Sequence, residues 1–170
     1  MTEIDSHLRF EDAPRELEAI SFALDSSGWM DCTFAASDGV PLTVRASYVS
    51  DVLTDFLDAA WTLATESSRA ASFVLHREPD ATIVGCLATE NHILLLITSS
   101  DDRRAYRFTS TSERLARLIY DGVAAVDRGA YLDTWSTHPF PEERLSNLGE
   151  LLGAQQGVSP SGPRTRRAPG

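Results

Sequence analysis

The chain has 170 residues, 42% of them hydrophobic, and a formal net charge of −10. That length and apolar share fit one globular domain with one core. No apolar run approaches the roughly 18 residues that span a bilayer, which speaks against a membrane protein. All 15 basic residues are arginine; Arg164, Arg166 and Arg167 lie beyond residue 160, which leaves 12 basic against 25 acidic groups ahead of them. A nucleic-acid binder rests on cationic contacts to phosphate, so this balance speaks against one.

Residues 1–16 are polar, carry acidic clusters and Pro14, and are expected to form a flexible acidic arm. Their start, Met-Thr-Glu-Ile-Asp, lacks the charged-then-apolar pattern of a signal segment, so a cytoplasmic location is expected. In residues 18–24 the alternation of Ile20, Phe22 and Leu24 favours a strand over a short helix. Asp25-Ser26-Ser27-Gly28 is a turn. Two strand-like runs, 29–36 and 40–47, then flank Ser37-Asp38-Gly39. A two-residue loop would mix polar and apolar side chains on each face. A three-residue loop pairs Phe34 with Leu42, Cys32 with Val44 and Met30 with Ala46, and sets Asp31 opposite Arg45. Only that register gives a clean apolar side, and it puts Gly39 at the left-handed position of the turn.

Residues 47–66 are expected to form the first long helix, with Val49, Val52, Leu53, Phe56, Leu57, Ala60, Leu63 and Ala64 on one stripe. Ser47 or Ser50 is the expected cap. Its charges are Asp51, Asp55, Asp58 and Glu66, all negative and without a cation on the same helix. Four runs follow as a meander: Ala71 to His76, Thr82 to Ala88, His92 to Thr98 and Arg104 to Phe108. Ile93 to Ile97 is continuously apolar and is expected as a central strand buried on both sides. Ser110-Thr-Ser-Glu113 has the pattern of a capping box, opening a helix to about Asp127. Residues 130–140 are expected as a loop holding Tyr131, Trp135 and Phe140. Pro141 then opens a short last helix that Gly153 ends. Residues 154–170, rich in Gly, Ser, Pro and Arg, are expected to be a disordered tail. The expected fold is α+β: an antiparallel sheet of about six or seven strands, with two long helices and a short C-terminal helix on one face. It makes a single domain over residues 17–153.

No phosphate-binding glycine loop and no nucleophile elbow appear. His76 and Glu78 share a strand face, with Asp80 following, and such a pair can act as acid and base or hold a metal. Surface polarity beside a turn is the plainer account. Cys86 and His92 flank one turn, but Cys86 lies among Val84, Gly85 and Leu87, where an inert buried thiol is expected. Cys32 is read the same way; a disulfide would need an oxidising compartment. Asp51, Asp55 and Asp58 sit at helical steps that do not converge on one ion, so they are a solvated face or a partner-facing patch. Trp29, Tyr131 and Trp135 are candidate interface anchors or edges of the core. Trp29 falls opposite the apolar side of its hairpin and needs cover, which Tyr131, Trp135 and Phe140 can supply.

Gly28-Trp29 before a strand, Ser47-Tyr48-Val49-Ser50-Asp51 opening a helix, and Glu78-Pro79 between strands form an order of motifs over residues 18–98. This order resembles a group of small uncharacterised bacterial proteins of actinobacterial type. The resemblance implies a fold unit and carries no reaction.

The expected function is an acidic protein-binding module, immunity-protein-like or chaperone-like, that neutralises or holds a partner protein, possibly a basic one. Charge complementarity would steer that encounter. The candidate contact residues are Asp51, Asp55, Asp58, Trp29, Tyr131 and Trp135. No catalytic set, metal site or cofactor is expected. Two alternatives stand beside it: a ligand sensor or enzyme with a pocket near His76, Glu78 and His92, and a structural subunit of a homo- or hetero-oligomeric assembly. The sequence is compatible with a homodimer.

Overall fold

A computed structural model of the chain describes residues 9–10, 13–90, 92–99, 104–135 and 138–157. The strands are β1 (Arg9–Phe10), β2 (Arg15–Leu24), β3 (Trp29–Ala36), β4 (Leu42–Ser47), β5 (Ala70–His76), β6 (Ala81–Ala88), β7 (Ile93–Ser99) and β8 (Arg104–Ser110). The helices are α1 (Val52–Ala64), α2 (Ser112–Ala124), α3 (Arg128–Thr134) and α4 (Glu142–Gly157). Seven strands form one sheet in the order β4-β3-β2-β8-β7-β6-β5, and β1 adds to β8. Among the described residues no helix is long and apolar enough to cross a membrane.

The α+β class stands. The β3–β4 hairpin has the register that alternation demands: Phe34 faces Leu42, Cys32 faces Val44, Met30 faces Ala46 and Asp31 faces Arg45. Gly39 sits at φ 77°, where a side chain would be strained. The sheet is not wholly antiparallel, however. β2 runs parallel to β8 at Arg15–Phe108 and Glu16–Thr109, and β1 is parallel to β8 at Arg9–Arg104. A long crossover through α1 and β5–β7 separates β2 from β8, and a pattern of apolar alternation carries no strand direction. These pairings also bring residues 9, 10, 15 and 16 of the expected arm into the sheet; residues 1–8, 11 and 12 lie outside the described residues.

One face of the sheet holds the core. Phe56 of α1 stands at its centre, with ring centroids 5.0 Å from Phe22, 6.1 Å from Phe34 and 4.7 Å from Phe73. Around it α1 buries Val52, Leu53, Leu57, Ala59, Ala60 and Leu63. At the sheet's middle, α2 lies close to β2: a Cβ on Gly122 would come within 2.5 Å of the Ile20 carbonyl oxygen. Glycine at 122 therefore sets the distance between helix and strand.

Helix ends and the C-terminal third depart from expectation. Asp51 is the N-cap of α1 and makes no side-chain cap hydrogen bond. Ser50 Oγ instead accepts from the His76 backbone N–H at 2.8 Å, tying the helix start to β5. Thr111, one residue after the expected cap, receives the Arg114 N–H at 3.2 Å. The stretch expected as a loop contains α3, whose cap Asp127 accepts from Ala130 N–H at 2.8 Å. The last helix is the longest of the four, with 16 residues. Gly153 lies inside it without the positive φ that terminates helices, and residues 154–157 of the expected tail continue it. Leu145, Leu148 and Leu152 bury its inner side. Residues 158–170 lie outside the described residues.

Candidate functional site

The acidic side of α1 is met in part by α4 and the segment before it. Arg144 of α4 donates from Nε to Asp58 Oδ1 at 2.7 Å. Asp51 Oδ2 lies 3.9 Å from His138 Nδ1, and the other His138 nitrogen contacts the Tyr48 carbonyl at 3.0 Å. Asp55 is half-buried between them. Burial, then the charges of Asp51 and Asp58, push its carboxyl up to about 6, while His138 and His76 act in the opposite direction. The hydrogen bond from Arg144 to Asp58 in turn raises the arginine further. Arg45 takes no part in this cluster: it pairs with Asp25 and Asp31. Arg69 reaches toward the Ala88 carbonyl. Of the carboxylates read as a solvated face or a partner-facing patch, Asp58 and Asp51 thus clasp α4 and the segment before it, while the Asp58 side chain stays more than half exposed.

The aromatic candidates separate into two kinds. Tyr131 and Trp135 are fully buried, stacked at 6.2 Å, with Phe140 edge-on to Tyr131 at 5.3 Å. They are core residues. The Tyr131 hydroxyl and Trp135 Nε1 make no hydrogen bond among the described residues, and burial followed by the Asp51 charge shifts the tyrosine hydroxyl upward, so it keeps its proton. Trp29 is half-buried, with the Arg45 guanidinium 5.5 Å from its ring centroid. Its cover includes that arginine, a cation–π contact from the neighbouring strand.

The histidine candidates do not meet. His76 ends β5 beside Ala81, whereas His92 precedes Ile93 at the opposite end of β6. Eight strand residues, about 25 Å of backbone, lie between those ends. One pocket therefore cannot hold His76, Glu78 and His92. His92 instead borders two clefts, one with Glu16 and Arg114, the other with Glu66, Arg69 and Glu90. Burial pushes the Cys86 thiol up to about 12, and burial shifts Cys32 upward as well, so neither supplies a thiolate. Among the described residues no three His, Cys, Asp or Glu side chains group to hold a metal ion.

A different surface emerges on the outer side of β5–β7. The ladders align Val74–Ile83–Thr98, Ser72–Gly85–Leu96 and Ala70–Leu87–Leu94 in three rows. Side chains alternate across a strand, so these nine positions share one face, opposite Phe73, Val84 and Ile97. None is charged. Ile83 and Leu87 are each 51% exposed and Val74 is 39% exposed. Leu94 and Leu96 are half-buried. Among the described residues no helix covers the outer side of the central strand, and Leu94 and Leu96 there are only half-buried, which corrects the expectation that Ile93 to Ile97 is buried on both sides. The sequence signal was the unbroken apolar run itself; what it lacked was a helix count, since α1 and α2 are spent on the inner face.

At the middle of the grid, Gly85 leaves a shallow depression of about 310 Å³ bordered by Ser72, Leu87, Leu94 and Leu96. Comparison of the chain with protein-family models, with curated proteins and with solved structures finds no match.

Proposed function

We propose that this chain is a protein-binding module that neutralises or holds a partner protein, and that it does so through the outer face of β5–β7. The single observation that carries this reading is the uncharged grid with Gly85 at its centre, half-exposed on a chain of net charge −10. Neighbouring exposed apolar side chains on one flat surface are the usual mark of an interaction site, whereas isolated ones are not. The arrangement is also consistent with a binding surface in energetic terms: an apolar centre ringed by polar groups is how interfaces concentrate their affinity.

This proposal keeps the class of partner binder and moves the contact surface away from α1. Asp58 is engaged by Arg144, and Tyr131 and Trp135 are interior, so these residues support the fold that presents the grid. The acidic excess remains a long-range contribution to encounter with a basic partner.

A photo-reactive amino acid placed at position 87, or in a separate variant at position 58, tests this in cells of the native host. The expected outcome is one dominant cross-linked protein from position 87 and none from position 58. Cross-linking from 58 alone would return the interface to α1. Absence of any adduct from 87 would remove the outer face from consideration.

A further inference from the structure

We infer that the outer grid of β5–β7 receives one amphipathic α-helix of the partner, with a large apolar side chain seated over Gly85; this deepens the protein-binding reading and rests on it. Gly85 is the first ground. A glycine inside a strand gives up β-propensity and side-chain packing, and such positions often mark close approach of another group. Among the described residues nothing internal requires it. Its φ is not positive, and an added Cβ would come no nearer than 3.9 Å to the Leu96 carbonyl oxygen. Its effect falls on the outside, where it opens the depression between Leu87, Leu94 and Leu96.

The backbone of the site decides the occupant's conformation. β6 is paired along its length with β5 on one side and β7 on the other. A segment lying on this face finds no free backbone groups there. An extended segment would bury its own N–H and C=O groups without partners, whereas a helix satisfies them internally. Helices already cover the inner face of the same sheet, and one more on the outside completes a three-layer arrangement.

Size points the same way. Three strands of seven or eight residues make a face of roughly 15 by 23 Å. That is the footprint of a helix about 10 Å wide and about 15 residues long. It is well short of the roughly 800 Å² per partner of a stable dimer, so a second copy of the chain is a poor occupant. Glu78 and Asp80 follow β5 beyond one end of the grid and Glu90 follows β6 beyond the other, with Arg77 and Arg69 also at these ends, and Arg107 of β8 pairs with Leu96 at the grid's side. The local charges are thus mixed, and it is the chain's net charge of −10 that favours lysine or arginine on the helix outside its apolar stripe.

The probe is a synthetic 15-residue peptide with leucines at helical spacing and lysines elsewhere, titrated into the full chain by calorimetry. A scrambled peptide of identical composition and a version with a central proline are the comparisons. Both are expected to bind at least tenfold more weakly. Gly85→Leu, which fills the depression, is expected to weaken the amphipathic peptide at least tenfold, and Gly85→Ala less than threefold. Ile83→Lys gives a second reading on the same face should the leucine variant fold poorly. Equal binding of the scrambled peptide, or no effect of both Gly85→Leu and Ile83→Lys, overturns the helix assignment. Cross-links from position 87 would then still stand for the protein-binding reading. A dimer in sedimentation that Ile83→Lys dissociates also overturns it, by assigning the face to a second copy.

Discussion

Ile83 and Val84 are neighbours on β6 with nearly the same chemistry, and the sheet gives them opposite surroundings. Val84 is wholly buried between Phe73 and Ile97, beneath the layer that Phe56 centres. Ile83 lies between Val74 and Thr98 and is 51% exposed. The same contrast repeats along the strand, Cys86 against Leu87 and Thr82 against Ile83. Side-chain apolarity is therefore common to both faces, and only the supply of helices distinguishes them. The inner face packs against the helices; the outer face keeps Ile83, Leu87 and Val74 exposed. Exposed apolar area of this kind is a stability-neutral liability unless it is used.

Exchanging the same charge into both positions gives the largest contrast. Val84→Asp places a carboxylate among Phe73, Ile97 and the α1 side chains. A loss of more than about 4 kcal/mol is expected, enough to unfold a domain of ordinary stability. Ile83→Asp should change stability by no more than about 0.5 kcal/mol, because the side chain is already half in water. Urea denaturation followed by circular dichroism reads both. Comparable losses would mean that the outer face is covered in solution.

Two glycines sharpen the comparison at lower amplitude. Gly122→Ala gains helix propensity of about 1 kcal/mol. It also drives a methyl group toward the Ile20 carbonyl, and a backbone atom cannot step aside as a side chain can. Overpacking of about 1–3 kcal/mol against a backbone atom should win, giving a net loss of up to about 2 kcal/mol. Gly85→Ala has open space before it and should be neutral or slightly stabilising, since it removes freedom from the unfolded chain. A thermal midpoint that falls for Gly85→Ala by as much as for Gly122→Ala would show that glycine at 85 serves the fold.

Much of the fold is written locally. Register in the β3–β4 hairpin follows from alternation and one glycine, and the four meander strands follow from apolar runs between turns. What is not local was not legible. The parallel joint of β2 with β8 brings together Arg15 and Phe108, far apart in the chain and with no directional mark in either. α3 was hidden because Gly129 looked like a terminator, although Asp127 two residues earlier was a sound N-cap. The candidate site suffered in the same way. The negative charges of α1 were plain in sequence, but Arg144, which meets Asp58, lies on a helix 86 residues away. The outer grid was visible as apolar runs, yet which side of a strand lacks cover is a property of the whole layer arrangement.

A pH experiment separates the α1 clasp from the outer face. In the fold the Asp55 carboxyl is pushed up to about 6 from its ordinary 3.8, by burial first and then by Asp51 and Asp58. The folded state therefore holds this proton more tightly than the unfolded state. Stability from the group is complete below the ordinary value and is lost as pH rises to about 6, after which the loss is constant. Asp55→Asn removes that slope. The variant should match the parent near pH 4 and exceed it at pH 7. The gain is about 1 kcal/mol once solvent screening of a partly exposed group is allowed for. A variant that loses stability at pH 7 would show that the Asp55 charge is compensated in the fold.

The smallest effect belongs to the exposed ion pair between α1 and α4. Asp58 and Arg144 have side chains 55% and 53% exposed, so water screens most of their attraction despite a 2.7 Å contact. Asp58→Asn and Arg144→Gln should each shift stability by a few tenths of a kcal/mol. Their coupling in a double-mutant cycle should shrink further as salt rises, because exposed charges are screened over about 10 Å at 0.1 M salt. The binding measurement matters more than the stability one. Were α1 the contact surface, Asp58→Arg would repel a basic partner and weaken the complex by an order of magnitude or more. If the partner docks on β5–β7, the same variant leaves cross-linking from position 87 intact and lowers only the rate of encounter at low salt. That division would follow from the proposed docking, in which one face holds the partner and the other contributes only to the chain's overall field.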